Sequence, residues 1–343
     1  MEMYENPDKV IATGLKIIQL SGNNTDLKIR AYKLISDGYS SKRNYQKSLK
    51  FLIKALELLP KSENKLLKIS IDTKAGIQYH QLNIYESAIT YLDRAEKMCL
   101  EYPIPDSVNS FLGVNYIVRG FIYKEKLNCD IAISFFDKGI KELSLNNKAL
   151  ENASRISIAK YNKGNCYILN GQNKLAEQSF KEALYFAKKV NAKSLEAFAL
   201  KGIAQIYKLY GKYEAAITEL NHAYRIANKV NDLVLNEEIY KGLSENYLAL
   251  NNTEKYQSYQ LKLIQTQTKL KENERASIEN LLAENYTNLE NKSNSEFSNF
   301  WLIFFVASGV IVALVFLFLS NKINKSIQIL EVKIKQINSN FLK

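Results

Sequence analysis

Five side chains in this sequence are the obvious candidates for nucleophilic or metal chemistry: Cys99, Cys129, Cys166, His80 and His222. A zinc site or a thiol–imidazole nucleophile needs such groups close together or at motif spacing, as in C-x-x-C or H-E-x-x-H. Here successive cysteines stand 30 and 37 residues apart. Neither histidine has a Ser, Cys or acidic partner at motif spacing. The sequence also contains no G-x-G-x-x-G, no G-x-x-x-x-G-K-[ST] and no G-x-S-x-G. The expectation is a chain with no cofactor, no metal and no catalytic constellation, hence not an enzyme. The thiols read as buried or incidental rather than as a disulfide framework.

Charge narrows the partners. Lys and Arg number 47 against 35 Asp and Glu, a net +12 that would suit nucleic acid or an anionic membrane surface. The lysines are spread along the chain, however, and no dense basic block falls within the first 298 residues. They read as solvated helix faces, and no nucleic-acid partner is expected. With only 4 prolines and 13 glycines among abundant Ala, Leu, Ile, Lys and Glu, the chain should be almost entirely helical. At 343 residues it is too long for one compact core but ordinary for an array of repeats.

A repeat is present. Small–Tyr pairs three residues apart recur as Ser36/Tyr39, Gly76/Tyr79, Gly120/Tyr123, Gly164/Tyr167, Ala204/Tyr207 and Ser244/Tyr247. Tyr to Tyr, the intervals are 40, 44, 44, 40 and 40 residues. Nine residues after each of the first five tyrosines a small–bulky–small set follows: Ser48/Leu52/Ala55, Ala88/Leu92/Ala95, Ala132/Phe136/Gly139, Ala176/Phe180/Ala183 and Ala216/Leu220/Ala223. A sixth, Tyr256/Gln260/Leu263, keeps the spacing and loses the types, so its helix is expected to splay away. This pattern describes an antiparallel helix pair: small residues let two backbones approach, and the bulky one fills the space beside them. Neither helix can bury its stripe alone, so stacked pairs must share one core.

Tyr161-Asn162-x-Gly164-Asn165-x-Tyr167, followed by Gly171, Ala176, Phe180 and Ala183, closely resembles the tetratricopeptide repeat, and Leu200 to Ala223 is similar. The resemblance covers six copies over residues 27–265 and implies an all-α solenoid of helical hairpins. It departs from the family norm in its longer period. Residues 1–20 read as a second helix without a first, a half-repeat or N-terminal cap; an upstream segment is one expectation from this.

Beyond the repeats, residues 266–298 read as a juxtamembrane helix and residues 299–320 as a transmembrane helix. Phe300 to Leu319 is uncharged over twenty residues, about 30 Å of helix at ~1.5 Å per residue. Residues 321–343 form an amphipathic tail with a heptad seam, Ile323, Ile327, Leu330, Ile334, Ile337 and Phe341, suited to a coiled-coil homodimer or a helix lying on lipid. Lys322, Lys325, Lys333 and Lys335 follow the span and only Lys292 precedes it closely, which puts the C-terminus in the cytoplasm and the repeats outside a bacterial inner membrane. The alternative is a tail-anchored protein with cytoplasmic repeats, since Met1–Leu20 is no signal peptide. Partners implied are thus a peptide or protein ligand, a lipid bilayer and a second copy.

What the resemblance implies for function is a scaffold or adaptor binding a peptide or protein in its concave groove. In the family that groove is lined by first-helix residues three before and one after the small residue. Those positions here are Lys33, Asp37, Thr73, Ile77, Ile117, Phe121, Tyr161, Asn165, Lys201, Gln205, Lys241 and Glu245. The set suits an extended ligand with an apolar part and an acidic or carboxylate end. The alternative is the sensory input of a transmembrane signalling or transcription-regulating system whose output domain is absent from this chain.

Overall fold

A computed structural model describes the backbone of residues 6–126, 128–230 and 232–341; among these, the side chains of 229, 230, 274, 276–299, 302, 303, 312, 313, 315, 316, 326, 328 and 332–341 lie outside the described residues. Thirteen α-helices and no strand occur among the described residues. A lone α1, Pro7–Leu20, precedes six helix pairs. These are α2 Thr25–Ser41 with α3 Tyr45–Leu58, α4 Lys65–Gln81 with α5 Tyr85–Leu100, and α6 Asn109–Glu125 with α7 Cys129–Ser144. They continue with α8 Ala153–Leu169 and α9 Asn173–Lys189, α10 Lys193–Leu209 and α11 Tyr213–Val230, and α12 Leu233–Ala249 with the start of α13 Thr253–Phe341. The all-α solenoid of tetratricopeptide-type hairpins is therefore the fold.

The small residues do what their size allows. A Cβ on Gly76 would lie 2.6 Å from Leu92, one on Gly120 2.5 Å from Phe136 and one on Gly164 2.6 Å from Phe180. Each glycine faces the bulky residue of its own second helix, so the backbone sits where a side chain would otherwise stand. The same logic docks α1 on α2, where Gly14 and Ile35 interlock and Gly38 meets Ile11.

The repeat tyrosine also ends its helix. In each pair the carbonyl of that tyrosine accepts a backbone N–H from five residues on: Asn44 to Tyr39, Ile84 to Tyr79, Asn128 to Tyr123, Gln172 to Tyr167, Lys212 to Tyr207 and Asn252 to Tyr247, at 2.8–3.0 Å. This is the Schellman closure, which needs a left-handed residue just before the donor. That residue is Asn83, Gly171, Gly211 and Asn251 in four turns, all with φ between 55° and 72°. In the first turn it is Arg43, at φ 57°. The next helix is then capped by side chains, Asn44 accepting from Lys47 N and Asn128 from Ile131 N.

Within a repeat the two helices are stitched by aromatic stacks and charge. Tyr39 stacks on Phe51, Tyr79 on Tyr91, Tyr123 on Phe135 and Tyr247 on Tyr259, with centroids 5.3–5.6 Å apart and rings within 12° of parallel. The last stack corrects the expected splaying of the sixth repeat: Tyr259 keeps the start of α13 against α12. Four residues before the small residue and two after the bulky one, another cross-helix pair recurs. Lys54 sits over Tyr32, Lys138 over Tyr116 and Lys262 over Tyr240. The second repeat replaces it with Asp72–Arg94 at 3.0 Å, and the fourth with Lys160–Glu182 at 2.5 Å, polarity reversed.

Asp72 carries a measurable consequence. Its side chain is fully buried, and Oδ2 has no hydrogen-bond partner among the described residues. Burial pushes its pKa up to about 6 against the pull of Arg94. An unfolded aspartate titrates near ~3.9, so the carboxyl favours the folded state while protonated, and this stability is lost as pH rises from about 4 through about 6. Asp72→Asn is therefore expected to raise unfolding stability at pH 7, by on the order of 2 kcal/mol, and to leave it nearly unchanged at pH 4. Urea titrations at both pH values check this; an equal shift at both would contradict it.

The chain divides into two compact units, residues 1–277 and 278–343. The first holds all the repeats. In the second, the expected membrane span is not found: among the described residues no helix is long and apolar enough to cross a membrane. Single-pass placement in an inner membrane, in either orientation, and the bilayer as partner are corrected accordingly. Ile323, Ile327 and Leu330 of the heptad seam are exposed in this unit, whereas the side chains of Ile334, Ile337 and Phe341 lie outside the described residues.

Candidate functional groove

The first helices of repeats three to six, α6, α8, α10 and α12, line a concavity of about 710 Å³. Six sequence-predicted positions meet there: Tyr161, Asn165, Lys201, Gln205, Lys241 and Glu245. The other six do not line it. Lys33 and Lys74 hold Asp37 between them at 3.0 and 2.7 Å. Burial would raise the Asp37 pKa, but the two ammonium groups outweigh it and hold the carboxyl below its ordinary value. Thr73 and Ile117 are buried at 4% and 5% exposure. Ile77 is half-buried, and Phe121 packs on Phe136 and His80 at 5.6 Å. Of these six, Thr73 and Ile117 are thus buried, Lys33 and Asp37 are ion-paired, and Ile77 and Phe121 are half-buried outside the concavity.

Residues the two-position rule missed also line the concavity: Lys124, Ile168, Phe198, Lys208 and Glu238. All five lie on the same helical stripe, one turn further out at six before or four after the small residue. Carrying the 3.6-residue period one turn each way would have found them.

At the centre, Tyr161 packs against Phe198 with centroids 5.7 Å apart and against Phe180 at 5.6 Å. The Lys201 ammonium stands 5.5 Å from the Tyr161 ring centroid and pairs with Glu238 of α12. Burial disfavours its charge, yet Tyr161 and Glu238 overcome this and hold its pKa above the usual lysine value. One heptad along, Lys208 pairs with Glu245 at 2.6 Å. The two rungs neutralise α10 against α12. Lys124 is different: its ammonium donates to the Asn162 amide oxygen at 2.6 Å, and no described carboxylate ion-pairs with it. Burial depresses its pKa, only partly offset by Cys166, Glu125 and Cys129. Lys241 is exposed and likewise has no ion pair among the described residues. Counting Lys124, Lys201, Lys208 and Lys241 against Glu238 and Glu245, the lining carries four positive charges and two negative.

Cys99 and Cys166 are poor nucleophiles. All three cysteines are buried and free. Burial, with Glu96 adding to it, pushes the Cys99 thiol up to about 12. Burial and a hydrogen bond with Cys129 push Cys166 up as well.

Comparison with known proteins agrees with this architecture. Residues 155–229 match the tetratricopeptide repeat family. Tetratricopeptide repeat protein 29 of Macaca fascicularis is 26% identical over 155 residues, 45% of this chain and 31% of that relative. The match therefore spans under a third of the relative's length. Among solved structures, the Rap conjugation gene regulator of plasmid pLS20, in complex with a peptide, superposes with a TM-score of 0.56 at 18% identity, over 71% of this chain and 65% of its own. A Rap protein complexed with competence and sporulation factor gives 0.51 at 18%, over 72% and 76%. BtubC from P. vanneervenii gives 0.53 at 14%, over 66% and 92%. These likenesses show the fold. Residues 155–229 carry the tetratricopeptide repeat signature, and the chain is built as a solenoid of tetratricopeptide-type repeats.

Proposed function

We propose that this chain is a non-enzymatic adaptor that binds a peptide or protein segment in the groove formed by α6, α8, α10 and α12. The observation that carries this is the combination of an aromatic floor, Tyr161 and Phe198, with two lysines, Lys124 and Lys241, that no described carboxylate neutralises. An apolar residue flanked by carboxylates fits that pattern: the ring pair takes the side chain, and the lysines supply charge-assisted hydrogen bonds. Two solved neighbours of the same fold were captured with a partner, the Phr* peptide in one and competence and sporulation factor in the other, which supports a peptide or protein ligand.

Selection of displayed random peptides on the full chain tests the reading. Enriched sequences should combine Asp or Glu with an aromatic or branched aliphatic residue. They should also lose binding to Gln205→Trp, which fills the groove from an exposed position. Peptides that bind Gln205→Trp as well as the parent chain would place the ligand face elsewhere.

A further inference from the structure

Arg43 and Asp232 touch although 189 residues separate them. One guanidinium nitrogen, Nη2, donates to both carboxylate oxygens, at 3.1 and 2.9 Å. Their places in the fold make the contact informative. Arg43 lies in the turn between the two helices of the first repeat, on one edge of the solenoid. Asp232 lies in the link that enters the sixth repeat. Because each hairpin is antiparallel, such links run along the opposite edge. Opposite edges five repeats apart meet only if the superhelix has come round one full turn.

The local sequence points the same way. Arg43 occupies the left-handed turn position that Asn83, Gly171, Gly211 and Asn251 fill in other repeats. A long side chain is unfavourable there, and glycine or asparagine adopts the conformation at less cost. The residue that accepts this strain is the one that reaches across the ring. Asp232 is doubly used: its Oδ1 also accepts from Val234 N and Leu235 N at 3.1 and 3.2 Å, capping α12, which carries Glu238, Lys241 and Glu245 of the groove. The pair is asymmetric in exposure, 50% for Arg43 and 17% for Asp232, so solvent and salt reach it from one side.

We infer that Arg43 and Asp232 form a clasp that holds the first superhelical turn closed and sets the width of the inner groove, and that breaking it opens the solenoid. A weak, half-exposed ion pair suits a catch that must release; a buried apolar seam would not. The inference does not depend on what the groove binds.

Pulsed electron–electron distance measurement on the full chain tests it, with spin labels at Glu57→Cys on α3 and Glu254→Cys on α13, both exposed. The native thiols are buried and label poorly. The unaltered pair should give one narrow distance distribution. Arg43→Gly, which relaxes the turn while removing the guanidinium, should broaden it and move part of it to longer distances. Asp232→Asn, which keeps the capping oxygen and removes the charge, should do the same. The double variant should go no further than either single one, and high salt should move the parent toward the variants. Circular dichroism confirms that each variant stays helical. A distribution that is broad already in the parent, or the same in all four proteins, overturns the clasp. So does a change confined to Asp232→Asn, which would leave Asp232 as a helix cap alone.

Discussion

Replacing Phe180 with alanine is expected to cost about 3–5 kcal/mol of stability, the cost of deleting a fully buried aromatic ring from a core that cannot collapse around the space. Phe180 has no exposed surface and is gripped from both sides. A Cβ on Gly164 of its own repeat would lie 2.6 Å from the ring, and one on Gly202 of the next repeat 2.5 Å from it. One ring therefore joins α8, α9 and α10, and it also supports Tyr161 in the groove at 5.6 Å. In a solenoid the loss should be felt first by neighbouring repeats. Hydrogen exchange is expected to accelerate across residues 153–209 before it does in α2 and α3, and the guanidinium midpoint should fall. A loss below about 1 kcal/mol would mean that α8 and α10 close onto the cavity and that the ring is not the joint between them.

The second large effect concerns the rungs between α10 and α12. Glu238 and Glu245 occupy lysines that an acidic ligand would use, so they act as internal competitors for Lys201 and Lys208. Lys201→Glu sets two carboxylates against each other and removes a cation from the Tyr161 ring. It is expected to weaken selected acidic peptides by about tenfold to a hundredfold, because a neutral rung becomes two carboxylates facing those of the peptide. Glu238→Gln should act in the opposite direction, freeing Lys201 and tightening the same peptides several-fold. Fluorescence anisotropy with labelled peptides reads both. Two changes of the same sign would show that the rungs only hold the helices together.

How much of this was legible in the sequence follows from what each feature depends on. The hairpins were, because Gly76, Gly120, Gly164 and their bulky partners interact at fixed spacing within one repeat, and a period can record that. Part of the stripe that lines the concavity was. Tyr161, Asn165, Lys201 and Gln205 sit where helical periodicity places them, and extending the stripe by a turn adds Phe198 and Lys208. The burial of Thr73 and Ile117 was not, nor was the hold of Lys74, from the next first helix, on Asp37, because both depend on how neighbouring helices seat. The Arg43–Asp232 contact was also invisible, since it depends on how far five repeat steps rotate the chain. A small change in the angle per repeat moves such a contact by many ångströms without altering any local pattern. The membrane span is the expectation that fails: Phe300 to Leu319 is uncharged, yet among the described residues no helix is long and apolar enough to cross a membrane.

The account rests on the inner groove being the ligand face, and photocrosslinking tests that directly. A benzoylphenylalanine placed at Gln205, in the groove, or at Tyr185, on the outer surface of α9, would be irradiated with the tightest selected peptide bound to the full chain. The groove account predicts a covalent adduct from position 205 and none from position 185, with the adduct suppressed by excess unlabelled peptide. An adduct from position 185 that excess peptide suppresses, with none from position 205, would contradict it.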